Sequence, residues 1–468
     1  MKHILHIFKI ALLSYIYLCT LKSISQSKLQ FSKDTVLKDL ENLYESLQQA
    51  HYNVYAYTTE DEFKSTYLNL KKSITKEQYS LLETTNLYQQ LTAAVRNGHT
   101  NIGFPISSYI QYAQNGGTLF PLEIAFDKEK PIVRKNWSTV ADIKVGDRII
   151  SINNKPIQEI LQVIYSQISA ERDYFKEVMI EAFSFPRYYW QVFGKTDSFT
   201  VEIKSGDSVK KINLKPIPVI EGYETKRDEI LNAQMSLKFY ENTAYLNPGN
   251  FSGDEERYKR FIDSSFAIIT QKKTENLVID LRNNQGGDDS FSDYLVSYFA
   301  DKPFYWNSDF TLKTSNQLKE HIRKNKDTTQ NFWKTALSKS DGTIYNYKFE
   351  AYQPQSDTKR FTGKVWVLVN RQSHSQSAVT AAQIQDYNFG VIVGEETGDY
   401  PSLYASIFQY ELPNTKIVVN ISKGFITRVN GSKKEEGVIP DIIIKDYLLD
   451  EEDEILEGVL ERINNNNK

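Results

Sequence analysis

Three serines share one turn, Ser373, Ser375 and Ser377, and the middle one stands where a hydroxyl can be turned to chemistry. Before it runs Val365-Trp366-Val367-Leu368-Val369-Asn370, and after it Ala378-Val379-Thr380-Ala381-Ala382. The valine-rich run reads as a buried strand and the alanine-rich run as a helix. Ser375 therefore falls at or beside a helix N-terminus, where unpaired amides face outward. A hydroxyl there can attack a carbonyl while neighbouring N–H groups hold the resulting oxyanion. Serine is also a preferred helix cap, and any of the three can fill that role instead.

A second strand ends in the same style. Asn276-Leu277-Val278-Ile279-Asp280-Leu281-Arg282 leads into Asn283-Asn284-Gln285-Gly286-Gly287. A glycine pair beyond a strand end permits positive φ and close backbone approach to a ligand, though it also makes an ordinary turn. The Gly286 and Gly287 amides are candidates for one half of an oxyanion hole, and the Gln376 amide for the other. Asp280 and Arg282 are expected to brace the loop.

Together the two segments resemble the tail-specific (C-terminal processing) protease family of serine peptidases. Its Asp-Leu-Arg-x-Asn-x-Gly-Gly strand end maps onto Asp280, Arg282, Asn284, Gly286 and Gly287, and its nucleophile onto Ser375. Asp386 on the following helix, Gly394-Glu395-Glu396-Thr397, and Gly437-Val438-Ile439-Pro440-Asp441 extend the match in order. The resemblance implies an α/β peptidase core that works without metal or organic cofactor, with Asp386 and Thr397 in supporting positions.

The chain departs from that family at its base. The Ser–Lys branch has a lysine three residues after the threonine, whereas this chain reads Gly398-Asp399-Tyr400. A serine hydroxyl without a base is a poor nucleophile at neutral pH. The tricorn-like branch takes a histidine from an N-terminal Gly-His-Thr-like segment, and Val95-Arg96-Asn97-Gly98-His99-Thr100 is similar. The expected base is thus His99, on the exit loop of a helix that Asn97-Gly98 would end in the left-handed conformation. His374 is the adjacent competitor. His51 reads as structural and His321 as solvated. The same branch implies a glutamate near Glu435 or Glu436 as the third member.

Around these residues the pattern suggests a multidomain α/β chain. Residues 1–25 carry Lys2, Lys9 and Lys22, no acid, and a short apolar run, which reads as a secretory signal peptide. Residues 26–115 have helical periodicity and form an N-terminal helical bundle. Residues 116–218 are β-rich, and Ala141 to Ile157 resembles a PDZ domain, with a hairpin at Asn153-Asn154 and a helix from Gln158 to Tyr165. That resemblance implies a groove for the C-terminus of a peptide or protein substrate. Residues 227–448 hold the peptidase core, with Tyr305 to Phe349 as a surface excursion, and 449–468 a C-terminal helix and tail.

Composition excludes other classes. The only cysteine, Cys19, lies in the leader, so the rest needs no disulfide or thiolate metal site. A net charge of −3 lacks the basic footprint of a nucleic-acid binder. The expected protein is an exported, periplasmic or envelope-associated serine endopeptidase. The alternative is a catalytically silent peptide- or hydrophobe-binding protein on the same scaffold.

Overall fold

The computed structural model describes residues 30–227, 233–446 and 452–466. The expected leader 1–25, with Cys19, lies outside them. Among the described residues no helix is long and apolar enough to cross a membrane.

A six-stranded sheet forms the centre, in the order Ser236–Tyr240, Thr243–Asn247, Asn276–Asp280, Lys364–Val369, Val391–Gly394, Ile442–Ile443. The first pair is antiparallel and the rest are parallel. Alternation along the strands explains why both faces are covered. Leu277, Ile279, Val365, Val367 and Val369 join one core with helices Glu255–Lys272, Asp289–Ser297 and Gln376–Tyr387. Val278, Trp366 and Leu368 point the other way, against Ile455, Val459 and Ile463 of the last helix, Glu454–Asn466. Side chains that alternate across a parallel strand need a layer on each side, and here both exist.

Helices Lys33–Ala50, Glu60–Ser73 and Leu81–Ala93 make the N-terminal layer. Thr59 and Ser80 each close a capping box with the glutamate three residues on, Glu62 and Glu83. Such caps are each worth about 1 kcal/mol. The layer's core continues into Phe408, Val419 and Ile421 of an antiparallel sheet built from Ile344–Asn346, Asp309–Lys313, Val418–Thr427 and Leu403–Glu411. The stretch Tyr305 to Phe349 is therefore no surface excursion. Phe310 and Leu312 alternate into a core, and Leu318 and Ile322 anchor a helix. Its many Lys, Asn and Asp residues mask a short period-two signal.

Between these parts, strands Leu122–Asp127, Lys130–Asn136, Arg148–Ile152, Phe199–Ser205 and Ser208–Leu214 form a sheet of their own. Asn153 and Asn154 turn its hairpin at φ 51° and 63°. Helix Ile157–Tyr165 follows, one residue ahead of the expected start. Helices Asp173–Phe183 and Phe185–Phe193 complete the aromatic-rich segment, and the first brings Phe175 toward the serine turn.

Candidate active site

The strand Lys364–Val369 delivers the turn, and helix Gln376–Tyr387 leaves it. Ser375, at φ 52° and ψ −124°, occupies a backbone region that L residues rarely adopt. Its hydroxyl makes no capping bond. Instead Ser375 Oγ lies 2.9 Å from His99 Nε2. The flanking serines are fixed elsewhere. Ser373 Oγ donates to the Leu281 carbonyl at 2.9 Å and accepts the Asn370 amide, and Ser377 Oγ reaches the same Leu281 carbonyl at 3.3 Å.

His99 arrives from the loop after Leu81–Ala93. The residue that turns left-handed there is Arg96, at φ 55°, and not Asn97 or Gly98. Asn97 is instead buried and fully used: its amide donates to Ser169 Oγ, and its Nδ2 donates to Glu171 and to the Tyr404 carbonyl. Its Oδ1 accepts from Ser422 Oγ and from His51 Nε2. Gly98 has a packing reason, since a Cβ there would sit 2.6 Å from Phe175 Cε1. Asn101 then pairs with Asn420, and Thr100 with Ser422, which fixes the loop to the antiparallel sheet. His51 is buried and supports Asn97, while His321 is bound to the Gln409 carbonyl at the far end of that sheet.

Burial lowers the His99 pKa to about 4, with Asp399 raising it somewhat and His374 opposing. The ring is then neutral near pH 7, the form that can accept a proton. Its orientation comes from stacking. His99 lies over His374 at 5.0 Å and 10°, and His374 over Phe175 at 5.0 Å and 5°. Nδ1 of His99 is buried with no hydrogen-bond partner among the described residues.

The carboxylate that reaches this site is Asp399. Oδ2 accepts the Ser375 amide at 3.0 Å and lies 3.8 Å from His99 Nε2 and 3.3 Å from His374 Nε2. Thr397, fully buried, sets that loop by donating to the Asp399 carbonyl and accepting the Val438 amide. Neither Glu435 nor Glu436 is hydrogen-bonded to His99. Glu435 is exposed, and Glu436 faces Lys434. The sequence carries one signal for Asp399: it occupies the loop directly after Gly-Glu-x-Thr, one residue before the position of the missing lysine. A second carboxyl nearby, Glu171, holds the Gly98 amide and Asn97, and burial and the charge of Asp399 push it up to about 7.

The glycine loop lies against the serine. A Cβ on Gly286, at φ 81°, would stand 2.6 Å from the Gln376 nitrogen and 2.8 Å from Ser375 Cβ. The Gly286 amide is committed to Asn284 Oδ1 at 2.7 Å. Gly287 pairs with Phe251 as an isolated bridge, with no room for a Cβ at φ 142°. Arg282 takes Asp280 on one side and Asp453 on the other, and Tyr245 also donates to Asp280. This network ties the strand end to the last helix. Asp386 is remote from the serine turn and holds Arg428 and Asn430.

Residues 242–444 match the sequence pattern described as Peptidase family S41. The Tail-specific protease of Haemophilus influenzae is 33% identical over 122 residues, which is 23% of this chain and 17% of that protein. Two solved structures share the fold: mature CPAF, with 14% identity, a TM-score of 0.61 and coverage of 88% of this chain and 92% of that one, and mature CPAF complexed with lactacystin, with 15% identity, a TM-score of 0.59 and coverage of 88% and 94%. The matched residues include the glycine loop and the serine turn of the central sheet, so this part of the chain is similar to peptidase family S41.

Proposed function

We propose that the protein is an exported serine peptidase in which Ser375 is the nucleophile and His99 its base. The observation that carries this reading is the 2.9 Å contact between Ser375 Oγ and His99 Nε2, made by a serine that forgoes capping its own helix. Ser375 Oγ attacks the scissile carbonyl, its proton passes to His99 Nε2, and the same proton is delivered to the leaving amine. Water then reverses the sequence on the acyl-enzyme. The oxyanion rests on the Gly287 and Gln376 amides, since Gly286 already donates to Asn284. Asp399 is the carboxylate we assign to the site, in place of Glu435 or Glu436. It holds the Ser375 backbone and adds negative charge beside the imidazolium that forms. The β-rich segment 116–218 receives the C-terminal end of a peptide or protein substrate, and the work is done outside the cytoplasm.

A silent binding protein is the second reading, and the unpartnered Nδ1 of His99 favours it. In a Ser–His–Asp arrangement that atom donates to a carboxylate, which fixes the tautomer. Labelling with a fluorophosphonate, followed by mass spectrometry of wild type, Ser375→Ala and His99→Ala, separates the two. Adduct at Ser375 that depends on His99 upholds the peptidase, and a folded wild type without adduct sinks it.

A further inference from the structure

Three electron-rich atoms converge at one point, Oδ2 of Asp399 and Nε2 of His374 and of His99. His374 Nδ1 lies 3.4 Å from the Gln285 carbonyl, which can only accept, so the proton of a neutral His374 sits on Nδ1. Its Nε2 then carries a lone pair, buried and without a hydrogen-bond partner among the described residues, 3.3 Å from Asp399 Oδ2. His99 Nε2, 2.9 Å from Ser375 Oγ, is also a lone-pair atom when it serves as the base of that serine. One such atom from each of His99, His374 and Asp399 falls within a sphere where all lie less than 4.8 Å apart. Facing lone pairs repel, and a proton or a metal ion between them removes the repulsion.

We propose that His99, His374 and Asp399 form a zinc site that overlaps the base, so that a bound zinc ion silences Ser375. The inference rests on the assignment of Ser375 and His99 above. Two imidazoles and one carboxylate are a ligand set suited to Zn²⁺, with bonds of about 2.0 Å and tetrahedral angles. Two ligand atoms on such an ion stand about 3.3 Å apart. The His374–Asp399 pair already has that separation, at 3.3 Å, and the His99–Asp399 pair, at 3.8 Å, has little to close. The two rings are nearly parallel at 10°, and they must tilt for both lone pairs to meet at one ion. That tilt breaks the His99–Ser375 bond, and the lone pair on Nε2 cannot hold a metal and take a proton together. Ser375 Oγ or water fills the fourth position.

The test uses the full chain, stripped with a chelator and then titrated with Zn²⁺ or Co²⁺. Zinc is expected to slow fluorophosphonate labelling of Ser375 at least tenfold at saturation, reversibly on adding chelator. Co²⁺ is expected to give a visible tetrahedral absorption band at one ion per chain. His374→Ala and Asp399→Asn, checked for folding by circular dichroism, are expected to lose the band and to raise the half-inhibitory zinc concentration at least about tenfold, on the scale of lost metal-site contacts. Ser375→Ala keeps the band. A band that survives His374→Ala, no band at all, or labelling that zinc leaves unchanged or accelerates overturns the proposal. Absence of labelling in the metal-free protein refutes the peptidase assignment instead, and the cobalt band still reports on the ligands.

Discussion

Asp399 accepts the backbone amide of Ser375 at 3.0 Å while standing 3.8 Å from Nε2 of His99, the same ring atom that meets the serine hydroxyl. The carboxylate thus lies on the serine side of the imidazole and not behind it. It restrains a serine whose backbone is held at positive φ, and it favours the protonated ring electrostatically.

Replacing this carboxylate isolates its contribution. Asp399→Asn keeps the shape and removes the charge, so labelling of Ser375 is expected to slow roughly 10- to 100-fold, less than the loss of a base behind the ring. Glu435→Gln and Glu436→Gln are expected to stay within about twofold, since neither side chain reaches His99. Equal effects at all three positions would remove Asp399 from its assigned place. Labelling rates of the three variants, measured side by side, decide this.

Acid inactivation is expected to come late. His99 holds a pKa of about 4 in the folded protein because it is buried, so the active neutral ring persists well below pH 6.5. The acid limb of the labelling rate should lie near pH 4. Asp399 raises that value, so Asp399→Asn should move the limb lower still. A limb near 6.5 in the wild type would mean that the resting ring is solvated.

Folding stability should depend on pH through the second buried histidine. Burial also lowers His51 to about 4, with its contacts to Asn97 and Asn53 opposing. The folded value lies below the ordinary 6.5, so the unfolded chain takes up the proton first. The stabilisation is whole above about pH 6.5 and declines as pH falls toward 4. His51→Gln removes one titrating group. Its urea midpoint should therefore drop less than that of the wild type between pH 7 and pH 5.

The glycine loop offers a steric test. Gly286→Ala drives a methyl group against the Gln376 nitrogen and Ser375 Cβ, at a φ that alanine resists. Labelling is expected to fall by a factor of about 100 or more, the scale of losing an oxyanion donor, while circular dichroism stays native. Unchanged labelling would mean that this loop does not face the reacting carbonyl.

The central sheet was legible because its strands are continuous apolar runs that end in glycine or serine turns. Ser375 was legible for the same reason, as the residue between a buried strand and a helix. His99 needed the family resemblance, since nothing local distinguishes a loop histidine. The position of Asp399 is not legible in the sequence, because it depends on a loop held by Thr397 and Val438, and spacing along the chain does not reveal which carboxylate such a loop turns inward. Asn97 reads in the sequence as a helix terminator, yet it bonds to partners drawn from four separate stretches of chain. The strand Asp309–Lys313 was hidden by polar neighbours, because five residues are too few to outweigh the composition around them.

Ser375 and His99 are 276 positions apart in the chain. Their contact requires the N-terminal helices to have docked on the antiparallel sheet, and Phe175 to have closed the stack from the β-rich segment. A chain still emerging holds the histidine without the serine, and one with its first helices detached holds the serine without the histidine. On the assignment proposed above, the serine meets its base only in a fully assembled molecule, so labelling of Ser375 would report on completed folding.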